Sequence, residues 1–167
     1  AVNISPAKVE LDAKEVKPDS ARLSGFFYET QKPIDSFAGK HVIVLTTADE
    51  KQYRNEFEFS PFTFQEELPQ KIHRKPFTIQ LKNFPSTEKS VRLLMLDSAF
   101  ESSGVNDLVP VTNGQINIDQ SILRNVVNGP INFELYLEQE MPLKQTTKAG
   151  GRISITYGLK RGFELVD

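Results

Sequence analysis

The sequence predicts an all-β fold: an antiparallel β-sandwich, immunoglobulin-like or another Greek key, with one short helix in a crossover connection. Six of the seven odd positions from Arg152 to Val166 are apolar or aromatic, as in a strand with one buried and one solvated face. Turn residues recur along the chain and separate roughly nine to eleven strand-sized segments. Only one segment has its apolar residues at helical spacing. A β-barrel is the alternative architecture.

The N-terminal segments are predicted to be strands with irregular ends. In residues 1–20, Val9 and Leu11 alternate with polar residues between two prolines, which is typical of a peripheral arm or edge strand. Segment 22–29 is predicted to be a strand with either a bulge at Gly25 or apolar contacts on both faces. Further strands are predicted at 41–47, 56–64, 76–81 and 91–96, with a loop at 33–39.

One aromatic strand changes parity in its middle. Phe57 and Phe59 occupy odd positions. Phe62 and Phe64 occupy even positions, just after Pro61. A bend at the proline is expected to return all four rings to one core.

A hairpin and a helix follow in the second half of the chain. An Asn-Gly pair, the strongest hairpin signal in the sequence, joins strands 108–111 and 115–118. Asp119 can cap a helix over 120–127, which the Asn-Gly-Pro sequence after it stops.

Two strands and the connection between them complete the predicted fold. Segment 131–138 alternates apolar and polar residues, and a connection at 139–151 precedes the terminal strand 152–166. That strand would span roughly 50 Å at about 3.3 Å per residue, more than twice the usual length. Arg161 is a polar residue on its apolar parity, so we predict a bend or turn beside Arg161.

Composition limits the class of protein. With 167 residues, 38% of them hydrophobic and 25% charged, the chain fits one globular domain over 1–167. A net charge of −2 provides no field that attracts nucleic acid, so nucleic acid is not an expected partner. No apolar run approaches the ~18 residues of a membrane helix. Cysteine is absent, which excludes disulfides and thiolate chemistry.

The chain starts at Ala1 and not at methionine. Removal of a secretory leader would leave such a start, and trimming of an expression tag is the alternative explanation. An extracytoplasmic location, whether periplasmic, cell-surface or secreted, is therefore expected.

One polar loop, 97–107, has the composition of a cation site. Asp97, Glu101 and Asp107 offer carboxylate oxygens beside a strand end, and calcium takes six to eight oxygens from such loops. The alternative is an ordinary turn, because aspartate, serine and glycine are common turn residues. These three residues are the metal candidates, calcium is the candidate ion, and no other cofactor is expected.

Two tyrosines are the candidates for partner contacts. Tyr136 falls on the polar parity of segment 131–138 and should point outward, and Tyr53 lies in a charged loop. Exposed aromatic rings can serve as platforms for sugars, but tryptophan, the best such platform, is absent. A carbohydrate-binding module is therefore an alternative.

No motif in the chain assigns an activity. His41 and His73 have no accompanying Gly-x-Ser-x-Gly segment and fit surface positions at strand ends. We expect a non-catalytic, extracytoplasmic binding or structural module that acts through a surface or a sheet edge, such as that of the terminal strand. Its expected partner is a protein or a cell-envelope component. The alternatives are a calcium-dependent or carbohydrate-binding module and a small hydrolase with loop carboxylates.

Overall fold

The structure is a computed structural model that describes residues 8–21 and 25–167. Strands make up 56% and helices 5%, which confirms the predicted all-β sandwich. The strands are β1 Lys8–Leu11, β2 Lys14–Val16, β3 Pro18–Ala21, β4 Gly25–Tyr28, β5 Gly39–Thr46, β6 Gln52–Phe59, β7 Thr63–Phe64, β8 Lys71–His73, β9 Phe77–Lys82, β10 Ser90–Asp97, β11 Val105–Pro110, β12 Gln115–Ile118, β13 Gly129–Pro142 and β14 Arg152–Val166. The helices are α1 Ile34–Phe37 and α2 Gln120–Leu123. In the described part of the chain, neither helix is long and apolar enough to cross a lipid bilayer.

The chain divides into two compact units. Unit 1 consists of Ala1–Ser60 and Glu140–Ser154, and unit 2 consists of Pro61–Gln139 and Ile155–Asp167. The chain passes from one unit to the other within β13 and again within β14. A single domain over 1–167 stays a prediction.

Unit 1 contains an antiparallel four-stranded sheet in the order β2-β1-β5-β6. The β1–β2 hairpin turns at Asp12 and Ala13, whose φ angles are 51° and 63°. Two successive residues in the left-handed backbone conformation are typical of the type I′ turn, whose twist matches that of the paired strands. Val9, Leu11 and Val16 form the buried core of this sheet. A separate two-stranded sheet pairs β3 with β4.

The N-terminal arm predicted for 1–20 contains β1, β2 and part of β3. β1 lies between β2 and β5, so it is an inner strand and not an edge strand. Residues 1–7 lie outside the described residues, as do 22–24 beside the bulge predicted at Gly25. The loop predicted at 33–39 contains the short helix α1.

His41 is buried in unit 1 and is not the surface residue that the sequence indicates. Its Nδ1 lies 2.7 Å from Asp12 Oδ2, and its Nε2 lies 2.7 Å from Phe37 O. The imidazole stacks on the Phe37 ring, with the centroids 3.9 Å apart. Val42 N donates to Asp12 Oδ1 at 2.9 Å. These contacts tie the β1–β2 turn to β5.

The pKa of Asp12 is lowered in the folded state. Partial burial raises it, but the hydrogen bonds from Val42 N and His41 and the nearby positive charges outweigh burial. Because the folded pKa lies below the ordinary value of 3.8, the stabilisation is present above that value and is lost as pH falls through the lowered one. Asp12→Asn, which suits a left-handed turn, should therefore flatten the loss of stability below about pH 4, measured by urea unfolding. Identical pH profiles for the two proteins would contradict this.

Unit 2 is a sandwich of two sheets. The larger sheet has the order β11-β10-β13-β14-β8, and the smaller has the order β12-β9-β7. β10 pairs antiparallel with β11 and β13, whereas β14 and β8 run parallel. Phe64 of the smaller sheet packs on Phe133 of the larger one, with ring centroids 6.3 Å apart. The fully buried side chains of this unit are apolar and include Val91, Leu93, Met95, Ile116, Ile118, Leu123, Ile131, Phe133, Leu135 and Leu165.

The four phenylalanines around Pro61 are divided between the two units, and their packing into one core stays a prediction. Phe57 and Phe59 belong to unit 1. Phe62 and Phe64 belong to unit 2. The change of parity at the proline therefore coincides with a boundary between units.

Helix α2 forms where predicted but is shorter. Asp119 Oδ1 accepts hydrogen bonds from two backbone amides of the first turn at 2.8 and 3.0 Å, which gives the predicted cap. The helix ends at Leu123 and not at 127. Asn125 N donates to Ile122 O at 3.1 Å, three residues back, so this turn has the hydrogen bonding of a 3₁₀-helix and not of an α-helix.

β14 follows the predicted alternation over its 15 residues. Side chains at odd positions are buried or half-buried, and most of those at even positions are exposed. The strand is continuous, so no turn interrupts it beside Arg161, and a bend there stays a prediction. Instead, Arg161 Nε and Nη2 donate to Glu67 at 2.6 and 2.8 Å, and the guanidinium lies 5.0 Å from the centroid of Phe64. The ion pair and the ring allow a cation on the buried side of the strand.

Candidate functional site

An open strand edge lies at one side of the larger sheet of unit 2. β11 is the outermost strand there and pairs with β10. Val111 N donates to Lys89 O at 2.8 Å on the β11 side, and Ser98 N donates to Pro130 O at 2.9 Å on the β13 side. Backbone groups alternate in direction along an antiparallel strand. Odd-numbered residues of β10 therefore bond to β11, and even-numbered ones bond to β13.

The same alternation sets the direction of the groups on β11. Its odd-numbered residues face β10, so Asn106 and Leu108 direct their N–H and C=O groups away from the sheet. Pro110 directs its C=O outward and has no N–H, so proline costs no ladder bond at this position. Within residues 8–21 and 25–167, no strand pairs with this side of β11.

The side chains of β11 anchor the strand and leave one apolar group in solvent. Val105 and Val109 are buried in the core of unit 2. Leu108 is 63% exposed, on the outer face of the sheet. It is the cross-strand partner of Arg92, whose Nη1 donates to Asn106 Oδ1 at 3.0 Å. The strand therefore offers a fixed edge with an exposed leucine.

Two other edge strands, β6 and β12, are partly covered. On β6, Arg54 N donates to Gln145 Oε1 at 3.1 Å, and Asn55 Nδ2 donates to Gln145 O at 2.8 Å. The connection between β13 and β14 thus satisfies part of that edge. On β12, both backbone groups of Gln115 bond to Thr112, at 2.9 and 3.0 Å. Covering of this kind prevents unwanted strand pairing.

The end of the terminal strand is paired and is not an open edge. β14 lies between β13 and β8, and its Leu165 is paired with Ile72 of β8. Glu164 N also donates to Gln70 O at 2.8 Å. The end of β14 is therefore inside the sheet, whereas no described strand pairs with the outer side of β11.

Sequence reasoning did not identify Asn106 or Leu108 as partner-contact residues. It assigned 97–107 to a loop, whereas β11 begins at Val105. The signal was present in the proline at the end of the strand, because proline within a sheet is confined to edges, first residues and bulges.

Asp97, the first calcium candidate, closes its own loop. Asp97 is only 3% exposed. Oδ1 accepts a hydrogen bond from Glu101 N at 2.8 Å, and Oδ2 accepts from Ser102 N at 3.1 Å and from the Ser102 hydroxyl. The Ser102 hydroxyl and the Glu101 amide are the main causes of the lowered pKa of Asp97, and they outweigh burial. Both carboxylate oxygens are thus engaged by the loop.

The other two calcium candidates have different surroundings. Glu101 is exposed, and Asp107 stands on β11 opposite Leu93. Among the described residues, no group of three or more His, Cys, Asp or Glu side chains is placed to hold a metal ion. Calcium binding stays a prediction from the sequence.

Thermal unfolding is expected to be the same in millimolar calcium and in chelator, because the oxygens of Asp97 already accept hydrogen bonds from the loop. An ion that binds the folded state alone raises the melting temperature. A calcium-dependent rise that Asp107→Asn abolishes would support the calcium hypothesis.

Tyr136 lies on the outer face of β13 and is half-buried. A Cβ built on Gly158 would lie 2.9 Å from Tyr136 Cδ1, so the ring occupies the space beside that glycine. A hydrogen bond with Glu134 raises the pKa of Tyr136, and Lys160 Nζ lies 2.8 Å from Glu134 Oε1. The tyrosine is therefore part of a polar cluster on the sheet.

This tyrosine and the exposed leucine share one row of the sheet. Arg92 is the cross-strand partner of Tyr136 on one side and of Leu108 on the other. Two strand spacings separate the outer pair by about 10 Å. The predicted contact residue thus lies on the face that ends at the β11 edge.

Tyr53, the other predicted contact residue, lies on β6 in unit 1. It is half-buried, with Lys51 Nζ 5.2 Å from its ring centroid. Its cross-strand partner is Leu45 of β5. Tyr53 and Tyr136 therefore belong to different units.

The loops beyond β11 form a concave surface in unit 2. It has a volume of about 640 Å³, and its lining includes Phe84, Pro85, Lys89, Pro110 and Val111. This volume is within the range of small-ligand sites, and the lining combines apolar and polar groups. The concave surface begins where the β11 edge ends, at Pro110.

An aromatic cluster supports this surface. Phe62 packs between Phe84 and Tyr157, with centroid distances of 5.5 and 5.1 Å. Phe62 N donates to Tyr157 Oη at 3.2 Å. Burial, with a contribution from Glu88, raises the pKa of Tyr157 to about 12. The phenol is therefore neutral at physiological pH.

No family model matches this chain, and no match is found among curated proteins.

Proposed function

We propose that this protein is a non-catalytic binding or structural β module that takes up an extended strand of a partner at the β11 edge. One observation carries the proposal. Leu108 directs both backbone polar groups away from β10, and its side chain is 63% exposed on the same strand. An edge with these properties is a template for strand addition.

The energetics of strand addition favour this edge. Asn106 and Leu108 offer two N–H and two C=O groups, and Pro110 adds a C=O. A typical hydrogen bond contributes about 0.5–1.5 kcal/mol net, so a few backbone bonds and one apolar contact give a modest, reversible affinity. Buried Val105 and Val109 hold the strand in place, so little ordering of β11 accompanies binding.

The proposal is tested with the peptide acetyl-Thr-Val-Ile-Thr-Thr-amide, titrated into labelled full-length protein and followed by NMR. We expect the amides of Asn106 and Leu108 to shift and to become protected from exchange. Leu108→Pro should abolish these effects, because it removes an outward N–H without removing a bond to β10. Leu108→Lys is the second blocking variant, in case the proline variant does not fold.

The matched control is Phe100→Lys, which changes the other strongly exposed apolar side chain of this region, 74% exposed and off the edge. It should bind the peptide as the parent protein does. Shifts confined to the loops 84–89 and 110–114, or unchanged binding by both Leu108 variants, would contradict strand addition at β11.

The proposal includes an extracytoplasmic location and a protein or cell-envelope component as the partner. Fractionation of cells that produce the natural full-length protein tests this part. Recovery with the envelope or secreted fraction is the expected result, and recovery with the cytosol would contradict it.

A further inference from the structure

We infer that the strand taken up by β11 comes from a different kind of chain and carries a basic side chain beside Asp107, next to an apolar one beside Leu108. The inference rests on the proposed function and names the chemistry of its partner. The observation behind it is a carboxylate on the β11 edge, that of Asp107, which has no ion-pair partner among the described residues.

Asp107 is an acidic residue on the inner parity of an edge strand. It stands opposite Leu93, which is fully buried, whereas Asp107 itself is exposed at the rim of the sandwich. In the part of the chain that the structure describes, no basic side chain or hydrogen-bond donor pairs with its carboxylate. An inward-pointing charge at an edge opposes pairing with any strand that does not compensate it.

An added antiparallel strand would place a side chain next to this carboxylate. Because Asp107 directs its backbone groups to β10, its new neighbour would form a non-hydrogen-bonded pair with Cα atoms about 4.5 Å apart. An added strand that removes the carboxylate from water without supplying a positive charge or a hydrogen-bond donor is unfavourable. An acidic side chain opposite it adds like-charge repulsion. A lysine or arginine there removes both penalties and keeps its charged end at the rim.

The neighbouring positions of the added strand follow from the same pairing. The residue before the basic one is opposite Leu108, on the outer face, where an apolar side chain would cover the exposed leucine. The residue after the basic one is opposite Asn106, where a polar side chain is suitable. The pattern is apolar-basic-polar in the direction of the added chain.

A second copy of this chain fits the edge poorly in each antiparallel two-fold register that uses Asn106 and Leu108. Centring on Asp107 places two carboxylates opposite each other. Centring on Leu108 places each Asn106 carbonyl against Pro110, which has no N–H. Centring on Asn106 requires Gly104 N, which already donates to Asn125 O at 3.0 Å. A strand of different sequence avoids all three conflicts.

Two peptides that differ at one position test the inference, with NMR titration as the readout. Acetyl-Thr-Val-Ile-Lys-Thr-amide should bind at least about fivefold more tightly than acetyl-Thr-Val-Ile-Glu-Thr-amide, because one forms an ion pair at Asp107 and the other a like-charge pair. The preference should shrink at high salt, since the edge is partly solvated. Asp107→Asn should remove it, and Asp107→Lys should reverse it.

The outcomes separate the inference from the proposed function. Equal binding of both peptides at Asn106 and Leu108, or a preference that Asp107→Lys leaves unreversed, overturns the charge inference and leaves strand addition standing. Failure of every peptide, including the neutral one, overturns strand addition itself. A dimer in light scattering that Leu108→Lys converts to a monomer would overturn the assignment of the partner to a different chain.

Discussion

Replacing Phe133 by alanine is expected to lower the free energy of unfolding by about 3–5 kcal/mol, the usual cost of truncating a fully buried phenylalanine. Phe133 lies in β13 and is fully buried. Its ring centroid is 6.3 Å from that of Phe64 and 6.1 Å from that of Phe163. The truncation therefore opens a cavity between the two sheets of unit 2, and these neighbours can fill it only in part.

The measurement is urea unfolding followed by circular dichroism, with Phe100→Ala as the matched control. Phe100 is 74% exposed, so its truncation should change the free energy of unfolding by less than about 0.5 kcal/mol. A loss of less than about 1 kcal/mol for Phe133→Ala would mean that the sheets do not pack tightly through this ring.

Replacing Gly158 by alanine should destabilise the protein by about 1–3 kcal/mol, the usual cost of forcing a methyl group into filled space. The new Cβ would lie 2.8 Å from Leu135 O and 2.9 Å from Tyr136 Cδ1. The carbonyl belongs to the paired strand β13 and cannot move away without loss of strand pairing. The tyrosine ring would have to turn out of its place beside Glu134.

Gly162→Ala is the control for this prediction, because it makes the same change four residues later on the same strand. The nearest atom to its Cβ would be Ile131 O at 3.8 Å, an ordinary contact. This variant should be neutral or slightly more stable, since alanine reduces the freedom of the unfolded chain. Equal destabilisation by both substitutions would show that glycine is needed for backbone conformation and not for close packing.

The period-two pattern predicted β14 well because one face of that strand is buried along most of its length. Burial selects apolar residues on one parity, and this selection is visible in any sequence. The pattern failed at Arg161, where no turn interrupts the strand. The compensating residue, Glu67, is 94 positions away in the sequence, so no local pattern could reveal the pair.

The calcium prediction for Asp97 illustrates a second limit. A carboxylate in a polar loop has the same local signature whether it binds a cation or caps the backbone of its own loop. Only the structure shows Glu101 N and Ser102 N turned toward its oxygens. Composition identifies the residue type in such cases, backbone geometry shows its hydrogen bonds, and the calcium prediction stays untested.

The β11 edge depends on strand order, which the sequence does not contain. Leu108 was correctly placed in a strand, but an exposed leucine can be distinguished from a core leucine only when its neighbours are known. In the structure, Leu108 faces solvent while Val109, the next residue, is buried. The sequence of the terminal strand fits an edge strand as well as an inner one. In the structure, its end lies between β13 and β8.

The division of unit 2 into two stretches of chain has a consequence for biosynthesis. Phe163 and Leu165 complete its core, yet they are translated after residues 140–154 of unit 1. A nascent chain released only as far as Gln139 would lack β14, which leaves β8 without its paired strand and the apolar core incomplete. Such a state is prone to capture by chaperones or to aggregation. Folding of this unit therefore waits for the ribosome to deliver its final stretch. Contacts between residues so distant in the chain also favour slow folding, on a scale of about milliseconds to seconds.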